Sequence, residues 1–338
     1  MKRFMRYLSK RKIKYAYAAA VLLLLLALTG VFFGSTRVSF AAFFRALMGG
    51  EADTVEARIL LYVRLPRVCA GILCGTALAL SGVVIQAVLA NRLASPSIIG
   101  VNAGAGFAVT LCAAAGIVGG FQLSFFAFLG SLFSVMLIAL SAKKWGASRG
   151  TVILMGVALN SFLGAISDAV ITFFPDIAIM HNDFKVGDFS FVTAEKLLPA
   201  AIVILGSFLL LLTLTGELDV LTLGEENTSG LGMNTALVRT AFLVLAALLA
   251  GAAVSVAGLL SFVGLLVPHA VRLIGITESK HLLPLCALFG GGFVSLSDTL
   301  ARVIFAPYEV PVGIIMAFIG APFFVLILLK NKGGHRHA

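Results

Sequence analysis

The chain has 338 residues, 60% hydrophobic and 12% charged, with a mean hydropathy of +1.08 and a formal net charge of +10. A soluble globular domain is about 45–50% apolar and about 25% charged, so these values exclude one and require a chain that lives in a bilayer. The positive charge does not signal a nucleic-acid partner, because the basic residues lie dispersed at the ends of apolar runs and form no single patch.

The first element is "MKRFMRYLSKRKIKYAYAAAVLLLLLALTGVFF". Its apolar run is longer than a signal-peptide core and no A-x-A-like cleavage site follows, so it predicts a retained first span near 16–34 behind a basic segment, 1–15. A span needs about 20 apolar residues. Further spans are predicted near 68–90, 98–119, 121–142, 151–174, 197–215, 237–257, 259–275, 282–306 and 312–329. The expectation is an all-α polytopic membrane domain of about ten helices over 16–330, with a tail at 331–338. Gly258, Gly264 and Pro268 interrupt the stretch 259–275, which makes it a candidate half-span. Lys2, Arg3, Arg6, Lys10, Arg11, Lys12 and Lys14 put the N-terminus in the cytoplasm, and ten spans return the C-terminus there. Most of the 25 Lys and Arg then fall inside, among them Arg92, Lys143, Lys144, Arg149 and Arg239.

Span two carries Gly71, Gly75, Ala79 and Gly82 at spacings of three or four, with Ala77 and Ser81 adding small residues. Such a face allows close helix packing or lines a dimer seam or pathway, and Gln86 near the inner end favours the pathway. Span five repeats Asn160, Gly164, Asp168 and Thr172 every four residues, with Ser161 beside them, as one polar stripe. An acid inside a span is costly and rarely faces lipid. Asp168 is therefore either satisfied by a neighbouring helix or part of a pathway wall for a polar cargo. Arg64 and Arg67 at the outer end of span two, and Arg302 near that of span nine, read locally as snorkelling anchors.

Between spans six and seven, within a cytoplasmic segment 217–236, lies "GEENTSGLG" (224–232). It lacks the lysine of a P-loop, and Glu225 and Glu226 would repel a nucleotide. They suit a helix N-terminus, and Gly230 or Gly232 suits its end. The segment is a connector or a docking knob for a soluble partner. His269, Ser261 and Asp298 invite an enzymatic reading, but "GLLSF" is not a protease serine context and no HExxH or DDxxD is present. Cys69, Cys74, Cys112 and Cys286 lie in apolar runs with no CxxC or Cys/His pairing, so they read as core residues. The expectation is a transporter, not an enzyme, with no cofactor and no metal site.

The stretch "RLPRVCAGILCGTALALSGVVIQAVLANRLASPSIIGVNAGAGFAV" (64–109) resembles the signature of FecCD-type permeases, the membrane subunits of ATP-binding cassette importers for iron-siderophores, haem and cobalamin. "LGEENTSGLGMN" looks like that family's coupling segment and "GLLSFVGLLVPHAVRLIG" like its eighth-span region. "HLLPLCALFGGGFVSLSDTLAR" and "EVPVGIIMAFIGAPFFVLILLK" are similar to its last two spans. The matches run in order from about 64 to 330.

The resemblance implies the type II importer permease fold. It implies a homodimer around a central pathway, two cytoplasmic ATP-binding subunits that hydrolyse the ATP, and an extracytoplasmic substrate-binding protein. On it, Gly224, Glu225, Glu226, Leu231 and Gly232 couple to the ATPase. Arg64, Arg67 and Arg302 dock the binding protein, and Asn160, Ser161, Gly164, Asp168, Thr172 and Gln86 line the pathway. The cargo implied is ferric siderophore or haem, with cobalamin as the alternative. A secondary transporter of a small polar solute is the alternative outside the family. Two departures stand out: Arg92 replaces a proline in "NRLASP", and the outer loop after span five reads "FKVGDFSF", with Phe184 and Asp188.

Overall fold

The computed structural model describes residues 2–34, 54–222 and 233–332. Within them the chain is nearly all helical, in the order α1 Lys2–Leu28, α2 Val55–Val88, α3 Val101–Ala114, α4 Gly120–Lys144, α5 Arg149–Phe173 and α6 Ala178–Val186. There follow α7 Ala194–Thr213, α8 Thr215–Thr222, α9 Thr235–Ala257, α10 Val263–Leu273, α11 Ser279–Val303 and α12 Val312–Lys332. Polar caps start several of them. The Thr54 hydroxyl accepts from Ala57 N, Ser148 accepts from Thr151 N and Asn234 accepts from Leu237 N, each satisfying an N–H that the first turn leaves orphaned.

Among the described residues, seven helices are long and apolar enough to cross a membrane: the apolar part of α1, then α2, α4, α5, α7, α9 and α11. Two of the expected spans are shorter. α3 has 14 residues and rises about 21 Å at 1.5 Å each, less than the ~30 Å hydrocarbon core. Gly100 and Gly116, both at positive φ, bound it on either side. α10 has 11 residues, a length in keeping with its glycine and proline breaks. α12, with 21 residues, covers the last expected span, 312–329. Two helices that hydropathy does not single out, α6 and α8, sit in connections.

α2 and α9 form the centre. α2 packs against α11, α9 and α10, while α9 also packs against α4 and α7; α1 lies against α11, and α5 against α3. The small residues of α2 make this possible. A Cβ at Gly75 would overlap the Gly290 carbonyl of α11, and one at Gly82 the Gly264 carbonyl of α10. Close backbone approach is how helices associate where no water drives them together. Gly82→Ala is therefore expected to lower stability by the upper part of the ~1–3 kcal/mol typical of overpacking. Gly206→Ala, with nothing within 4 Å of its new methyl, should be neutral or slightly stabilising when both are compared by thermal unfolding in detergent.

Ala90 takes a positive φ and the Asn91 side chain accepts from Leu93 N at 2.9 Å, closing the turn beside Arg92. The loop "FKVGDFSF" packs on the end of α9 through Asp188 N to Ala257 O and Leu259 N to Phe184 O, both at 2.9 Å.

Candidate functional site

The polar stripe lies on α5, a peripheral helix that buries only one narrow face, through Val152, Gly156, Leu163 and Ser167. Asn160 and Gly164 are half-buried at the edge of that face, and Ser161, Asp168 and Thr172 are exposed. A Cβ at Gly164 would meet nothing within 4 Å. Asn160 donates to Ser97 O at 3.0 Å while its own carbonyl oxygen is buried with no hydrogen-bond partner among the described residues. Thr172 donates to Asp168 O at 2.8 Å. Within the single chain Asp168 is exposed. The carboxylate faces outward from the single chain, where only water or a second protein surface could solvate it.

Near the Asp168–Thr172 end of the stripe, His181 of α6 is buried and its Nδ1 lies 2.9 Å from Thr110 Oγ1, which itself donates to Gly106 O. Burial, and then the charge of Lys185, push the His181 imidazole below its ordinary pKa, against an opposing pull from Asp168. Sequence reading missed this contact, because Thr110 and His181 are 71 positions apart.

The three arginines are not at the surface. Arg64, Arg67 and Arg302 are 3%, 3% and 2% exposed, and Arg64 and Arg67 lie inside α2, which begins thirteen residues earlier than its predicted start at 68. Arg67 Nε binds both oxygens of Asp298 at 2.9 and 3.2 Å. Its Nη1 meets Glu309 at 2.7 Å, and its Nη2 meets Asp188 at 3.5 Å. Arg302 pairs with Asp298 at 3.1 Å and donates to the carbonyls of Phe33 and Gly30. Arg64 donates to the carbonyls of Val31 and Phe32. Within the single chain the guanidiniums tie α2 and the ends of α1 and α11 to two loops. The one legible signal was "DTLAR", an acid four residues before an arginine on a helix.

Gln86 does not join the stripe. It is buried at the other end of α2, donating to Gly264 O at 3.1 Å and accepting from Arg272. The 96–99 turn touches both α2 and α5. Ser261, His269 and Asp298 are not assembled either. Asp298 is held by Arg67, whereas His269 lies near Arg92 and Arg272. Gly224, Glu225, Glu226, Leu231 and Gly232 lie outside the described residues, as does the rest of the predicted helix there; α8 covers only the first part of 217–236. Among the described residues no group of His, Cys, Asp and Glu could hold a metal ion.

The sequence pattern of the FecCD transport family matches residues 22–330. The chain belongs to that family. It is similar to the haemin transport system permease HmuU of Yersinia pestis, 33% identical over 324 residues and 92% and 94% of the two chains. It is similar also to the cobalamin import permease BtuC of Halobacterium salinarum, 36% identical over 303 residues, covering 86% of this chain and 78% of the relative. Among solved structures, an ABC transporter assigned to the metal-chelate type, in an inward-facing conformation, superposes with a TM-score of 0.81 at 29% identity, covering 94% and 99% of the chains. This FecCD chain thus has the type II ABC importer permease fold, and its family is one of permease subunits, which are not themselves enzymes.

In the FecCD chain the α5 stripe can be read by labelling. With native cysteines replaced, Asn160→Cys, Gly164→Cys, Asp168→Cys and Thr172→Cys are expected to react with a water-soluble thiol reagent in at least one nucleotide state. Leu163→Cys and Ser167→Cys, on the buried face of a helix with 3.6 residues per turn, should stay protected. Equal protection of both sets would remove the stripe from the pathway.

Proposed function

We propose that this chain is the membrane permease of an ATP-driven importer for a metal chelate, ferric siderophore or haem in the first place and cobalamin in the second. It sits in the cytoplasmic membrane with both termini inside. Two copies enclose a central pathway walled by the α5 stripe, with Gln86 near its inner end. Two cytoplasmic ATP-binding subunits hydrolyse the ATP and engage the chain through Gly224, Glu225, Glu226, Leu231 and Gly232. A substrate-binding protein docks over Arg64, Arg67 and Arg302. Because Asp188 and Glu309 cover Arg67 and are 26% and 33% exposed, an incoming acidic side chain has to displace one of them to reach it.

The observation that carries this reading is the family match over nearly the whole chain, and the outward-facing polar stripe supports a pathway between copies. The test is reconstitution in vesicles with the ATP-binding subunits and the binding protein, comparing uptake of a ferric siderophore, haem and cobalamin. ATP-dependent uptake of one of them is expected. Uptake driven by an ion gradient without the ATPase would replace the reading by secondary transport.

A further inference from the structure

At the end of the bundle opposite the arginine–carboxylate cluster is a cavity of about 260 Å³. It lies between the last turns of α2, the end of α8, α10 and the start of α11, and its polar lining is Gln86, Arg92, Thr222, Arg272, Thr277 and Ser279. At about 30 Å³ per water in the liquid, it has room for roughly eight waters, enough for a phosphate group with part of whatever carries it.

Its electrostatics are one-sided. Arg272 is half-buried, and its hydrogen-bond partner among the described residues is the neutral amide of Gln86. Arg92 also lines the cavity and acts on Arg272 with like charge. Asp219, next to the lining, is held by two lining residues: it accepts from Ser279 N at 3.0 Å and Ser279 Oγ at 2.6 Å, and Thr222 donates to its backbone carbonyl. Among the described residues no Asp or Glu lines the cavity. Like charge from the exposed Arg92 adds to the desolvation of the half-buried Arg272, and an anion bound between them offsets both. Arginine forks match the oxygens of phosphate in geometry as well as charge, and the Thr277 hydroxyl adds a third donor at the rim.

We propose that this cavity is a phosphate-binding site, holding a phosphate group between Arg92 and Arg272. Two sources share that chemistry, free phosphate and the headgroup of an anionic phospholipid. The site is separate from the arginines that meet Asp298 and does not depend on which cargo the chain carries.

Equilibrium dialysis of the delipidated full-length protein in detergent against radiolabelled inorganic phosphate tests it. Saturable binding near one phosphate per chain is expected. Arg92→Gln, at an exposed position, should weaken it at least tenfold without moving the unfolding temperature, and Arg92→Gln combined with Arg272→Gln should abolish it. Repeating the measurement in nanodiscs of phosphatidylcholine, with and without phosphatidic acid, separates the sources. Loss of phosphate binding when phosphatidic acid is present, or Arg92-dependent retention of that lipid alone, assigns the headgroup; unchanged binding assigns free phosphate. Absence of both, or equal binding by Arg92→Gln and the unaltered chain, would overturn the proposal.

Discussion

Asp298→Ala is expected to destabilise the protein by about 3–5 kcal/mol, the cost typical of removing one partner from a buried ion pair. Asp298 is 1% exposed and stands between Arg67 and Arg302, which are nearly as deeply buried. Without it Arg67 keeps Glu309 and the distant Asp188, while Arg302 keeps, among the described residues, hydrogen bonds to neutral oxygens of Gly30, Phe33 and Thr299 and the longer-range charge of Glu309. The two remaining carboxylates of the described cluster are both partly in water. Glu309→Gln is the internal comparison. Its side chain is a third exposed, so solvent screens the pair and the loss should be about 1 kcal/mol or less. Denaturant unfolding in mixed micelles measures both. Equal, small losses would show that water already enters the cluster and that it does not hold the helix ends together.

Replacing Glu225 and Glu226 together by lysine should reduce uptake to background while leaving the permease inserted and dimeric. On the sequence expectation of a helix start there, each substitution exchanges a favourable for an unfavourable interaction, worth about 0.3–1 kcal/mol. The described helices end before that segment and begin again after it. α8 precedes it, and α9 after it carries its own cap in Asn234. Loss of transport would therefore report a broken contact with the ATP-binding subunits, not a failure to fold. Co-purification of those subunits and vesicle uptake are measured on the same preparation. Undiminished uptake, or lost uptake with the subunits still bound, would take the docking role away from this segment.

Much of the architecture is legible in the sequence because a bilayer imposes one demand on every spanning helix, a long apolar run. That demand marks the seven long helices, and the spacing of Gly75 and Gly82 anticipates the close approach to Gly290 and Gly264. The same criterion misjudges elements whose apolar residues serve another purpose. The α3 helix is apolar enough for a span, but Gly100 and Gly116 bound it at 14 residues. Conversely, charge hid the start of α2, since hydropathy counts Arg58, Arg64 and Arg67 as a loop.

For the candidate sites the division is similar. The α5 stripe is a matter of period along one helix, so four residues at a spacing of four reveal it without any neighbour. What lies beyond one helix cannot be read that way. The partners of Arg67 are 231, 242 and 121 positions away, and whether an arginine is an exposed anchor or a buried staple depends on which carboxylates the fold brings to it. By itself the sequence determined a membrane-spanning helical chain, its family and the polar face of α5, because hydropathy, motif and helical period are local properties. The outward exposure of Asp168, the burial of the three arginines and the cationic cavity around Arg272 were decided by tertiary structure alone. Each is a balance of desolvation against partners that exists only once distant helices have packed.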